Sequence, residues 1–210
     1  RLRQAAAPHV SGVLARLTRQ LHLDRPAVRA WMLYDWANSA MYVVIVTAIF
    51  PTFFSAVAAQ GLPPVEATYR FSLATTLGLT IIAVLSPILG AIADHSAAKK
   101  RLLGAFLAFG ASAVAAMFFI RHGQWEFAAL LFILANIGVN GSFVFYDSLL
   151  PHVAAPDEMD RISTAGYALG YLGGGLFLVA CLGIILEPAA FGLPSGEGLT
   201  PTEATLPTRI

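Results

Sequence analysis

The sequence predicts an all-α membrane protein, a bundle of five membrane-spanning helices. Three observations predict it. Hydrophobic residues make up 57% of the 210-residue chain and charged residues only 12%, against about 25% charged in a soluble domain, and mean hydropathy is +0.70. Five apolar runs reach the ~20 residues needed to cross a hydrocarbon core. The 13 Lys and Arg residues segregate to alternate loops. The same composition sets aside a soluble α/β enzyme. A net charge of +1 argues against a nucleic-acid partner. Cys181 is the single cysteine, so no disulfide framework is expected. His9, His22, His95, His122 and His152 are scattered without metal-ligand spacing, so neither a metal nor a cofactor is expected. No Ser/His/Asp grouping suits nucleophilic catalysis.

Asp24 and Pro26 form a helix start for the first span, residues 31–59. The others are 71–93, 102–120, 125–149 and 162–186. Pro51 and Ser86-Pro87 predict kinks in the first two. Trp31, Trp36 and Trp125 are expected at headgroup level. Arg1, Arg3, Arg16, Arg19, Arg25, Arg29, Lys99, Lys100, Arg101 and Arg161 fall on one side, and Arg70, Arg121 and Arg209 on the other. The positive-inside rule then puts the N-terminus in the cytoplasm, with the plasma (inner) membrane as the expected location. Residues 1–30 form a cytoplasmic arm. In it Val10, Val13, Leu14, Leu17 and Leu21 recur at helical spacing, either as a short interfacial helix or as a frayed tail. Residues 31–186 form the transmembrane bundle. Residues 187–210 form an extracytoplasmic polar tail rich in Gly, Pro and Thr. The chain starts at Arg1 and has no sixth apolar run before Ile210, so it is read as a fragment whose sixth helix is missing.

An Asp in hydrocarbon costs about 2.5–3.5 kcal/mol on insertion scales, so each intramembrane polar residue needs a reason. The fourth span carries Asn136, Asn140 and Asp147 at offsets of four and seven, a polar stripe on one helical face. It reads as a cavity wall touching substrate or as interhelical hydrogen bonding. The first span carries Asp35, Asn38 and Tyr42 at offsets of three and four. Asp35, Asp94 and Asp147 all fall near the cytoplasmic end. Three readings are open for them: an inner gate, a proton relay, or simple pairing of Asp35 with Arg25 or Arg29. Between spans two and three, Gly90 would let a neighbouring helix come close. Asp94 sits at a helix C-terminus, where a carboxylate needs a facing cation. Lys99, Lys100 and Arg101 are the candidates, and together these five residues read as a conformational switch turn. Gly166, Gly170 and Gly174 recur every fourth residue in span five, for static packing or for sliding. Asn140-Gly141-Ser142 fits a glycosylation pattern but lies within a span.

Three further runs stand out. They are Tyr34-Asp35-Trp36-Ala37-Asn38-Ser39-Ala40, then Phe145-Tyr146-Asp147-Ser148-Leu149-Leu150-Pro151, then the glycine run from Gly166 to Gly175. With the turn from Gly90 to Arg101, they resemble the vacuole-effluxer-like family of the major facilitator superfamily, related to autophagy-linked amino-acid effluxers. The resemblance covers spans one to five. It implies twelve spans in two halves, of which this chain matches the first. It also implies a secondary transporter of small solutes, with amino-acid efflux as the family expectation, and a cavity lined by spans one, two, four and five. The implied partners are the bilayer, a solute with possible proton coupling, and the missing C-terminal half. The turn departs from the superfamily pattern: His95 stands for a basic residue, and Ala97-Ala98 for Gly-Arg. The other readings are a membrane-embedded enzyme, which the scattered histidines oppose, and a five-span assembly or interaction protein without transport activity.

Overall fold

A computed structural model describes residues 21–209. Five helices in it are long and apolar enough to cross a membrane: α1 Pro26–Ala58, α2 Pro64–His95, α3 Lys99–Phe119, α4 Trp125–Asp147 and α5 Met159–Leu186. No strand occurs among the described residues. The proposed interfacial helix falls outside them except for Leu21, which belongs to a turn.

The helices extend beyond the apolar runs because polar residues finish them. Pro26 and Pro64 open α1 and α2, where a missing N–H costs nothing. The kink expected at Pro51 takes another form. The stretches Met41–Ile49 and Phe54–Ala58 on either side of it are π-helical. The Phe50 amide bonds to the Ile45 carbonyl five residues back, and the Thr47 hydroxyl donates to the Tyr42 carbonyl at 2.8 Å. Wide turns thus absorb the hydrogen bond that proline removes. α2 runs through Pro87 as one helix, with Ser86 Oγ donating to the Ile82 carbonyl at 2.7 Å.

α4 is the central helix, with half of its apolar window buried. Small residues allow this. Gly138 of α4 lies against Gly110 of α3, so close that a Cβ on Gly138 would overlap the Gly110 backbone and stand 2.9 Å from the Phe106 carbonyl. Gly78 of α2 packs on Ile133 and Asn136. Phe50 of α1 stacks on Phe132 of α4 with centroids 5.0 Å apart. α5 packs on α1 rather than on α4. Between two helices as apolar as lipid, close backbone approach is what gives such packing its energy.

At one end, His122 links the tail to the bundle, its Nε2 3.1 Å from the Pro201 carbonyl and its Nδ1 2.7 Å from Gln60 Oε1. The tail holds a five-residue helix, Pro201–Thr205, begun by a reciprocal Thr200–Glu203 capping box. Trp125 carries Arg70 over its ring at 4.0 Å. Trp31 departs from the headgroup expectation. It is buried, stacked on Tyr146 at 4.4 Å, with Nε1 donating to the Tyr146 carbonyl. Its N–H has a partner within the bundle and has no need of the headgroup region.

Candidate functional site

The three singled-out runs meet in space. On α1, Trp31 and Tyr34 sandwich Tyr146 of α4, at 4.4 and 4.7 Å. Ser142 donates to the Val139 carbonyl at 2.6 Å, so the Tyr34 hydroxyl, 2.6 Å from Ser142 Oγ, is the donor in that pair. One and two turns further on, Tyr42 Oη donates to Asn140 Oδ1 at 2.6 Å. Asn140 Nδ2 donates to the Asn136 carbonyl at 2.8 Å, and Asn136 Nδ2 to the Phe132 carbonyl at 2.8 Å. Asn136 and Asn140 therefore turn inward and join a continuous hydrogen-bonded chain from α1 into α4. Asp147, at the end of the same stripe, is exposed.

Asp35, Asn38 and Tyr42 do not converge. Tyr42 faces α4, whereas Asp35 faces α5. Asp35 is 2% exposed, and its Oδ2 has no hydrogen-bond partner among the described residues. Asn38 is 5% exposed with Nδ2 likewise unpartnered. Against α1 lie the glycines of α5. A Cβ on Gly166 would meet Trp31 at 2.6 Å, and one on Gly174 would meet Val43 at 2.7 Å. On Gly170 it would strike Asp35 Oδ2 and approach Ser39 Oγ to 2.6 Å. Gly173, which the every-fourth-residue pattern omitted, has its missing side chain replaced by the Trp36 indole. Pairing of Asp35 with Arg25 or Arg29 does not occur: Arg25 binds Glu158 at 2.6 Å, and Arg29 donates to the Leu23 carbonyl at 2.9 Å.

The turn between α2 and α3 also differs from expectation. A Cβ on Gly90 would meet nothing within 4 Å, so no helix approaches there. Asp94 is exposed, and no cation among the described residues pairs with it. Lys99 turns the other way, its Nζ 3.3 Å from the Ser148 carbonyl and 3.1 Å from His152 Nε2. Lys99, Lys100 and Arg101 open α3 and so crowd its positive end, bordering a pocket of about 460 Å³ with Ser96, Leu149 and His152. His95 folds back, Nδ1 2.9 Å from the Ala91 carbonyl, which satisfies one of the last acceptors of α2.

The sequence reading missed a polar cluster that ties the start of α1 to the start of α5. Glu158 accepts from Arg25 and, at 3.1 Å, from the Ala155 amide, while His22 Nε2 lies 2.9 Å from its Oε1 and 3.1 Å from Arg161 Nη2. The Arg25 hydrogen bond, the Ala155 amide and the Arg25 charge hold the Glu158 carboxyl below its ordinary 4.5. More than 130 residues separate Arg25 from Glu158, so no local pattern could have announced the pair.

A cavity of about 760 Å³ opens between α1, α3, α5 and residues 207–209. It is mainly apolar, with Tyr34 and Asn38 among its polar lining; Asn136, Asn140 and Asp147 do not line it.

The profile of the family described as "Vacuole effluxer Atg22 like" matches residues 66–195. The chain belongs to that family. Among curated relatives, it is 36% identical over 166 residues to "Uncharacterized MFS-type transporter YxiO" of Bacillus subtilis, covering 79% of this chain and 39% of the relative. It is 33% identical over 106 residues to "Autophagy-related protein 22" of Neurospora crassa, covering 49% of this chain and 14% of that protein. The protein of the same name in Coccidioides immitis is 34% identical over 91 residues, 43% of this chain and 14% of the relative. The chain thus spans about two fifths of the bacterial relative's length and about a seventh of the fungal ones. No solved structure matches it significantly. Family membership and the five apolar helices make this an integral, multi-pass membrane protein.

Proposed function

We propose that the protein is a secondary transporter that moves small solutes by alternating access, with this chain forming most of the N-terminal bundle. The observation that carries the reading is the hydrogen-bonded chain from Tyr42 through Asn140 to Asn136, with Asp35 and Asn38 also buried, elsewhere on α1. Polar groups at membrane depth are costly and mark solute paths and moving seams. Amino-acid efflux is the substrate class that the family description and the autophagy-related relatives favour.

In this reading Asn38 and Tyr34 present polar atoms to the apolar cavity, where a second bundle completes the path. The glycines 166, 170, 173 and 174 form the surface along which α5 shifts against α1. Asp94 and Asp147, both exposed near the same end, meet cationic groups of that second bundle when the inner side closes. Gly90 and the cations Lys99, Lys100 and Arg101 belong to the turn that rearranges with them. The N-terminus is cytoplasmic, as the basic loops favour, and the plasma membrane is the location we propose. Proton movement is coupled to solute movement.

The test is a solute screen with the purified full-length protein, both bundles present, in liposomes, with and without an imposed proton gradient. Solute flux that the gradient accelerates is expected. No flux of any solute under either condition would favour an assembly or interaction role instead.

A further inference from the structure

Asp35 is buried in the seam where α1 meets α5, and the reading above gives its carboxylate no partner. Ionised, a carboxylate in such a place carries a heavy desolvation penalty unless cations or donors offset it. None do. Oδ2 lacks any hydrogen bond among the described residues. The basic side chains nearest in sequence are engaged elsewhere: Arg25 with Glu158, Arg29 with the Leu23 carbonyl, Arg161 with His22. The titratable groups near enough to act on Asp35 through their charge are Tyr34 on its own helix, Tyr146 and Asp147 on α4, and Tyr167 on α5, three phenols and an acid, with no cation among them. His152, on the short segment following α4, faces Lys99. A neutral carboxylic acid removes the penalty and needs only an acceptor for its O–H. Ser39 Oγ borders the same small space over Gly170 that Oδ2 occupies.

We propose that Asp35 is a proton-binding site built into the α1–α5 seam, and that the bound proton lets the two helices close over Gly170. Only glycine leaves room for the acid there. When the proton leaves, the carboxylate needs water, and water enters only if α1 and α5 part. Two packings of the seam, dry with the proton and wet without it, give alternating access a bistable element. A metal cation fits the site less well, because Asp35 and Ser39 offer too few oxygens and the gap over Gly170 is narrow. Its use in transport rests on the proposed function; the site itself does not.

Infrared spectroscopy of the purified protein in lipid nanodiscs tests it without any flux measurement. At neutral pH the wild type is expected to show a carboxylic-acid C=O band that shifts on H/D exchange. The band is retained in Asp147→Asn and lost in Asp35→Asn. Gly170→Ala, which keeps Asp35 but props the seam open, also loses it, and this variant carries the test should Asp35→Asn fail to fold. Absence of the band in wild type, its persistence in Asp35→Asn, or its replacement by a sodium-dependent carboxylate band would overturn the proposal. A band in a protein that moves no solute would support the proton site and count against the transporter. Flux without the band would do the reverse.

Discussion

The Tyr42 hydroxyl donates to Asn140 Oδ1 at 2.6 Å, joining α1 to α4 one residue beyond the start of the π-helical stretch. Asn140 spends its own Nδ2 on the Asn136 carbonyl. Tyr42→Phe therefore strands one acceptor inside the bundle and leaves the rest of the chain of bonds in place. The expected loss is on the order of 1 kcal/mol or less, since membrane hydrogen bonds are modest. Thermal unfolding in detergent reads it as a small drop in Tm, and an unchanged Tm would mean that the bond contributes nothing net.

Two glycines should behave in opposite ways. Gly138→Ala drives a methyl into the Gly110 backbone, where nothing can swing aside, and should cost about 1–3 kcal/mol. Gly90→Ala places its methyl in open space within α2 and should stabilise by about 0.5–1 kcal/mol. Parallel melting curves of the two variants check the contrast; equal effects would contradict the close α3–α4 crossing.

Glu158 gives the bundle a pH dependence. Its folded carboxyl titrates below the ordinary 4.5 because it accepts from Arg25 and the Ala155 amide. The folded state then binds fewer protons than the unfolded chain, so the contribution is fully present above 4.5 and is lost as pH falls through the lowered folded value. Glu158→Gln should melt earlier than wild type at neutral pH, and the gap should close on acidification. A gap that stays constant down to strong acid would remove Glu158 as its source.

If the proposed transport function holds, Asp94→Asn in the full-length protein should impair transport while leaving insertion and folding intact, because the carboxylate is exposed and has no cation paired with it among the described residues. Flux in proteoliposomes together with Tm separates the two effects. Wild-type flux would take Asp94 out of the gate.

Much of the architecture was legible because hydrocarbon imposes a one-dimensional rule. Five apolar runs gave five helices, with ends displaced by a few residues where Pro26, Pro64 and polar turns extended them. The glycines of α5 were legible as a packing face, since small residues have few other uses there. Gly173 was missed because its partner is the large indole of Trp36, which fills the missing side chain's place instead of letting backbones meet. The direction of each polar side chain was less legible. Shared helical phase placed Asp35 and Tyr42 together, yet the π-helical turns begin at Met41 and alter that phase.

The sequence by itself determined the helices, their number and the residues that could not be lipid-facing without cost, because burial in a bilayer is paid residue by residue along the chain. Only the tertiary structure decided the partners. It set Asp35 over Gly170, Tyr42 on Asn140, and Arg25 on Glu158 in place of Asp35. Such pairings depend on which helices cross, and helix crossing is set by the summed packing of distant small residues, which no local spacing encodes.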